Sequence, residues 1–78
     1  MGNYEENAVL DEVERDGDIL LLADGRRLLV NPDEAAVTSI WAHSAKLTLR
    51  EGKGGAFDLT VTNEETGDTV AARVADEP

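Results

Sequence analysis

Short apolar runs, each closed by a turn signal, recur along most of this chain, and the turn signals constrain its fold more than any other feature. Two of them are Asp-Gly pairs, Asp16-Gly17 and Asp24-Gly25. Asp-Gly suits a two-residue type I′ hairpin turn, in which both central residues take positive φ. Runs this short, punctuated this often, are the pattern of antiparallel strands in a small sandwich or barrel. The sharpest expectation falls on Asp24-Gly25. Asp18 to Ala23 reads as a strand leading into it, and Arg26 to Val30 reads as the return. Two residues of turn would fix that register, and a slip of one residue would send every side chain to the opposite face. The first of these strands is apolar on both faces, with Ile19 and Leu21 on one and Leu20 and Leu22 on the other, so it should be central or covered. On its partner, Leu28 and Val30 share one face, and Arg27 and Leu29 share the other.

The remaining segments extend the same pattern. Ala8 to Arg15 fits either a helix face through Val9, Leu10 and Val13 or a strand face through Val9 and Val13. Strand is chosen because a hairpin signal follows at once, and Asp11 would then face inward or mark a bulge. Asn31-Pro32-Asp33-Glu34 has the form of a helix start, with Asn31 as cap, Pro32 at the first helical position and Glu34 three residues after the cap. Only one or two turns fit before Ile40 and Trp41, which are expected to plug one end of the core. Lys46 to Arg50 alternates with Leu47 and Leu49 inward. After the glycine-rich loop Glu51 to Gly55, Ala56 to Asn63 alternates with Phe57, Leu59 and Val61 inward. Glu64 to Asp68 turns through Gly67, and Thr69 to Ala75 follows with Val70, Ala72 and Val74 inward. Strands with one wet face belong to antiparallel sheets, and closure would hide the sheet edges. The expected fold is therefore all-β in the main: a five- or six-stranded antiparallel barrel, SH3-like or OB-like, with one helical turn near residues 32–39. Residues 8–75 form the single domain, 1–7 a flexible N-terminal tail and 76–78 a C-terminal tail.

Composition narrows the function classes. With 78 residues and no cysteine, the chain has a thin core and no thiol to staple it. Seventeen acidic residues against seven basic ones give a net charge of −10. A field of that sign repels phosphate backbones and anionic lipid, so neither nucleic acid nor membrane is an expected direct partner. The plain reading of the acidity is solubility, or adaptation to a salty or GC-rich host. No apolar run approaches the length of a membrane span, and the start of the chain is acidic rather than basic and then apolar. A soluble chain, cytoplasmic by default, is the expectation.

No constellation rises to catalysis or metal binding. Ser39 and Ser44 flank the single histidine, His43, but triads are assembled from distant segments. His43 reads as a surface loop residue. Asp16, Asp18 and Asp24 could offer oxygen to calcium, yet their spacing is not that of an EF-hand loop, and hairpin turns call for Asp-Gly in any case. Glu64, Glu65 and Asp68 read the same way, as turn residues. Gly52-Lys53-Gly54-Gly55 lacks the spacing of a phosphate-binding loop. Catalytic, cofactor and metal sites are therefore all expected to be none.

The order Asp24-Gly25, Val30-x-Pro32, Trp41, Leu47-x-Leu49, Asn63-x-x-Thr66-Gly67-x-x-Val70 resembles small bacterial β-barrel domains of uncharacterised function. Those domains read D-G-S-x-W-x-V-x-P, then W-x-x-G-D-x-V-x-V, then N-x-x-T-G-x-x-V. The chain departs from the pattern at Leu28, where an aromatic is usual, and at Ser44-Ala45, where Gly-Asp is usual. The resemblance implies a small barrel and brings no catalytic residues with it.

These readings lead to a non-enzymatic barrel that contacts another protein or another copy of itself. Trp41, Leu20, Leu22 and Leu29 are the residues that would carry the contact. Trp41 is read first as a core plug and second as an exposed anchor. The alternative is an acidic mimic of nucleic acid that inhibits a nucleic-acid-binding protein. It needs the acids gathered on one face, whereas many of them fall in turns and tails.

Overall fold

The computed structural model describes residues 4–52 and 54–75; residues 1–3 and 76–78 of the two expected tails, and Lys53 of the glycine-rich loop, lie outside the described residues. Six antiparallel strands close into a barrel: β1 (Glu5–Glu14), β2 (Ile19–Leu22), β3 (Arg27–Val30), β4 (Lys46–Glu51), β5 (Leu59–Asn63) and β6 (Thr69–Val74). Their spatial order is β1-β2-β3-β6-β5-β4, and β4 returns to pair with β1. Between β3 and β4 the chain makes a 3-10 turn at Pro32–Glu34 and a single turn of helix, α1 (Ala35–Thr38). The expected all-β barrel with a helical turn near 32–39 is what forms. Among the described residues, no helix is long and apolar enough to cross a membrane.

β1 shows how one strand can serve two neighbours. Glu5 to Val9 pair with β4, and Leu10 to Glu14 pair with β2. The strand therefore starts inside the segment expected as an N-terminal tail, with Glu5, Glu6 and Asn7 opposite Arg50, Leu49 and Thr48. The register breaks between Leu10 and Glu12, which makes Asp11 a bulge. An extra residue changes the parity of the strand. Leu10 and Val13 consequently both face the core, opposite Leu22 and Leu20, while Val9 turns outward. Val9 and Val13 do not share a face as expected.

Both Asp-Gly loops are longer than the two-residue turns anticipated. Residues 15–18 join β1 to β2, and Arg15, Asp16 and Gly17 all have positive φ (53°, 56° and 103°). This loop sits on α1: the Gly17 carbonyl accepts the Thr38 hydroxyl at 2.6 Å in a buried hydrogen bond. In the second loop, Gly25 N–H donates to Leu22 O (2.9 Å) and Leu22 N–H to Arg26 O (2.8 Å). Only Gly25 takes positive φ there, at 97°, whereas Asp24 does not. That is a three-residue loop with glycine in the bulge position, the next most common hairpin connection. It pairs Leu20 with Leu28 and Leu21 with Arg27. A two-residue turn would have set Leu22 opposite Arg27, one apolar and one charged residue on the same face. The three-residue loop instead puts Leu20, Leu22, Leu28 and Val30 together in the core.

The other ends are closed by side chains. Asn31 caps as expected, its Oδ1 accepting Asp33 N–H at 3.0 Å. Glu34 does not complete a capping box; its carboxylate accepts Ala71 N–H at 2.7 Å, where β3 has ended and left that group of β6 without a strand partner. Trp41 is 5 % exposed and plugs the core, while Ile40 beside it is 79 % exposed and does not. β5 begins at Leu59, so Phe57 lies half-buried in the preceding loop rather than inward on a strand. Val74, at the end of β6, is exposed rather than inward. The Asn63 turn is tied by its own side chain, whose Oδ1 accepts Glu65 N–H (2.8 Å) and Thr66 N–H (3.3 Å), while Gly67 supplies the positive φ of 82°.

Candidate interaction surface

With Leu20, Leu22 and Leu28 committed to the core, alternation sends Ile19, Leu21 and Leu29 to the outside of the barrel. Cross-strand partners share a face. One row on the outer surface therefore runs Glu14, Ile19, Leu29, Arg73 over β1, β2, β3 and β6. The adjacent row runs Glu12, Leu21, Arg27. Arg27 Nε lies 3.7 Å from Glu14 Oε1, so this side chain reaches across β2 and its stem shields part of the apolar surface.

Beside these rows lies a groove of ≈ 290 Å³, with Ile19, Leu29, Val30, Pro32 and Phe57 as its apolar lining and Arg15, Asp18 and Arg73 as its charged residues. Local chemistry fixes each wall. Pro32 is held by the helix start, Phe57 comes from the loop before β5, and Ile19 and Leu29 face each other across the hairpin. The lining arginines, Arg15 and Arg73, are both exposed. Neither makes an ion pair among the described residues, whereas Arg26, Arg27 and Arg50 each do. Two cations and one acid around an apolar lining leave this groove net positive on a chain of net charge −10. A larger groove, ≈ 580 Å³, crosses the outer face of β1 and β4. Four of its polar residues are occupied with one another, since Arg50 pairs with Glu5 at 3.3 Å and Thr48 donates to Glu64, while Asn7 and Lys46 also line it.

A second charged cluster covers one mouth of the barrel. Glu6 lies opposite the buried Leu49, so its side chain leans over the core. Arg26 grips it with two hydrogen bonds (3.1 and 2.6 Å) and also bonds Asp24 through Nε (2.9 Å). The guanidinium holds both carboxyls below their ordinary range, and the Tyr4 hydroxyl, donating to Glu6, adds to the effect there. The Tyr4 phenol is raised in return by that bond to Glu6.

Of the four residues singled out from the sequence, only Leu29 belongs to the outer face. Leu20 and Leu22 are fully buried (0 % and 1 % exposed), and the Trp41 indole is inside, with its N–H donating to Asp68 Oδ2 at 3.4 Å. The sequence reading passed over Ile19, Phe57, Arg15 and Arg73. For Ile19 the signal is the choice of hairpin loop, because a three-residue loop exchanges the faces of β2; Arg15, Phe57 and Arg73 reach the groove from separate segments that no local pattern joins. His43 is exposed, and its Nδ1 lies 2.6 Å from the Asp11 carbonyl that the bulge frees. The Ser39 hydroxyl donates to Ala36 O rather than to His43. Asp24 sits at the opposite end of the β2–β3 hairpin from Asp18. Comparison of the chain with protein families, with curated proteins and with solved structures finds no match.

Proposed function

We propose that this chain is a non-enzymatic protein-interaction module that works through the outer face of β2, β3 and β6. The observation that carries the reading is the apolar groove of Ile19, Leu29 and Phe57, lined also by Arg15 and Arg73 against the single acid Asp18, on an otherwise acidic molecule. Charge complementarity selects the partner chemistry: an apolar side chain flanked by carboxylates, which the two guanidiniums can engage through charge-assisted hydrogen bonds. The resemblance to small bacterial β-barrel domains belongs to the same proposal. The residues that carry it have structural work in this fold, since Asn63 and Gly67 build a turn and Trp41 and Val70 fill the core. The acids speak for this reading over nucleic-acid mimicry. Glu6 and Asp24 are held by Arg26, Glu14 by Arg27, Glu5 by Arg50, and Glu34 by a backbone N–H. These five are spread over β1, the β2–β3 loop and the 3-10 turn before α1.

Selection from a displayed library of random peptides tests the proposal. Peptides enriched on the wild-type protein should carry an apolar residue next to Asp or Glu. The same peptides should be lost on Leu29→Asp and on Arg73→Glu. Absence of enrichment, or enrichment that survives both substitutions, would overturn it.

A further inference from the structure

We infer that a second copy of this chain fits the same outer face, in a twofold dimer whose axis runs parallel to the strands between β2 and β3. The inference rests on the interaction surface proposed above and names its occupant. The row Glu14, Ile19, Leu29, Arg73 has an acid at one end, a cation at the other and two apolar residues between. A twofold axis through the middle of that row sets Ile19 of one copy on Leu29 of the other. It also sets Glu14 of each copy on Arg73 of the other, twice by symmetry. The face is therefore self-complementary, which an isologous contact requires. It also presents the partner chemistry deduced for the groove, apolar side chains beside carboxylates.

Shape agrees with charge. A six-stranded barrel is strongly convex, so two of them touch along their central strands and diverge to either side. The central residues, Ile19 and Leu29, are short and apolar, and the flanking Glu14 and Arg73 are long enough to span a widening gap. Among the described residues Glu14 is held at home by the single 3.7 Å contact of its Oε1 with Arg27, which leaves its other carboxylate oxygen to a second guanidinium. Four strands at ~4.8 Å spacing make a face ~19 Å wide, so even along the molecule's longest extent of 33 Å the face offers roughly 630 Å², less than the ~800 Å² per partner of a stable interface. The dimer is accordingly weak, and the net charge of −10 on each copy opposes it until salt screens that charge.

Sedimentation equilibrium in about 0.15 M salt, up to roughly 0.5 mM protein, reads the association, with circular dichroism confirming that each variant folds. Wild type should dimerise more weakly in about 0.01 M salt. Arg73→Glu and Glu14→Arg should each weaken self-association about tenfold, by placing like charges together. The second result is diagnostic because Glu14→Arg lowers the net charge from −10 to −8, which by itself would favour association. An equimolar mixture of the two variants should restore dimer, because both cross-copy contacts are again Glu on Arg. A wild-type chain that stays monomeric throughout, while peptide selection still yields acidic apolar sequences, would overturn the second copy as occupant and leave the surface standing. A dimer that either substitution leaves intact would also overturn it.

Discussion

Replacing Gly17 with alanine measures how firmly the first hairpin loop is seated on α1. A Cβ built at Gly17 would lie 2.0 Å from the Ala35 carbonyl oxygen, 2.8 Å from Thr38 Oγ1 and 2.9 Å from Ser39 N. Comfortable contact needs ~3.5 Å, so loop and helix must separate by more than an ångström. That separation breaks the buried hydrogen bond from Thr38 to the Gly17 carbonyl, a loss of ~1–3 kcal/mol. Alanine at φ +103° adds ~1–2 kcal/mol of backbone strain. The steric cost comes on top, and ~3–5 kcal/mol is the expected total. For a domain of this size each kcal/mol moves Tm by ~4–8 °C, so Gly17→Ala should lose at least ~12 °C in a thermal melt. Gly25→Ala is the control. Gly25 has φ +97° with nothing within 4 Å of the added Cβ, so only the ~1–2 kcal/mol of strain applies. If the two variants melt together, the close packing of Gly17 against α1 is wrong.

Three further outcomes follow from the geometry. The hairpin register predicts that Leu22→Asp unfolds the domain, at a cost above ~4 kcal/mol for a buried unpaired charge, whereas Leu21→Asp on the outer face costs ~1 kcal/mol. Equal effects in a urea titration would reverse the assigned faces. Glu6 and Asp24 are held below their ordinary pKa by Arg26. The stability they contribute is thus complete above the unfolded range near pH ~4 and is lost as pH falls through the depressed folded values. Arg26→Met should melt below wild type at pH 7, with the gap closing between about pH 5 and about pH 3; a gap that stays constant would show that Arg26 acts through packing alone. Raising sodium chloride from about 0.01 M to about 0.15 M shortens the Debye length from ~30 Å to ~8 Å, against molecular extents of 33 × 26 × 24 Å. Repulsion among the acids should therefore fall and Tm rise, and a falling Tm would mean that the ion pairs of Arg26, Arg27 and Arg50 outweigh it.

Alternation carried most of the fold. Leu47, Leu49, Val61, Val70 and Ala72 face inward where period-two patterning puts them, and Asn31-Pro32 opens the helical passage by the expected capping. The misplacements have physical causes outside a local pattern. Val9 and Val13 part company because the Asp11 bulge inserts one residue, a device visible in the sequence only as an acid interrupting an apolar run. Ile40 and Trp41 are adjacent and equally apolar. Only one can enter a barrel end already lined by Leu side chains, and the indole, with Asp68 available to its N–H, takes the place. Glu34 stands where a capping box would use it, but Ala71 N–H at the end of a short β3 is the more demanding donor.

Leu20 and Leu22 were expected at a contact surface and lie in the core for a single reason. The two faces of β2 hold Ile19 and Leu21 or Leu20 and Leu22, and composition alone does not rank them. Arg27 lies outside with either loop, and the loop decides what shares its face: a two-residue turn sets Leu22 opposite Arg27 and sends Leu20 and Leu22 outward, whereas three loop residues set Leu21 opposite Arg27 and send Ile19 and Leu21 outward. The hairpin takes the three-residue loop, with the single glycine at positive φ that Asp24-Gly25 supplies. Leu20 and Leu22 then meet Val13 and Leu10 of β1 in the core. Arg27, outside in either register, straps the outer face to Glu14. Replacing it with leucine would remove that strap and leave β3 apolar on both faces. The core and the outer surface of this barrel are therefore specified together, by the length of one loop.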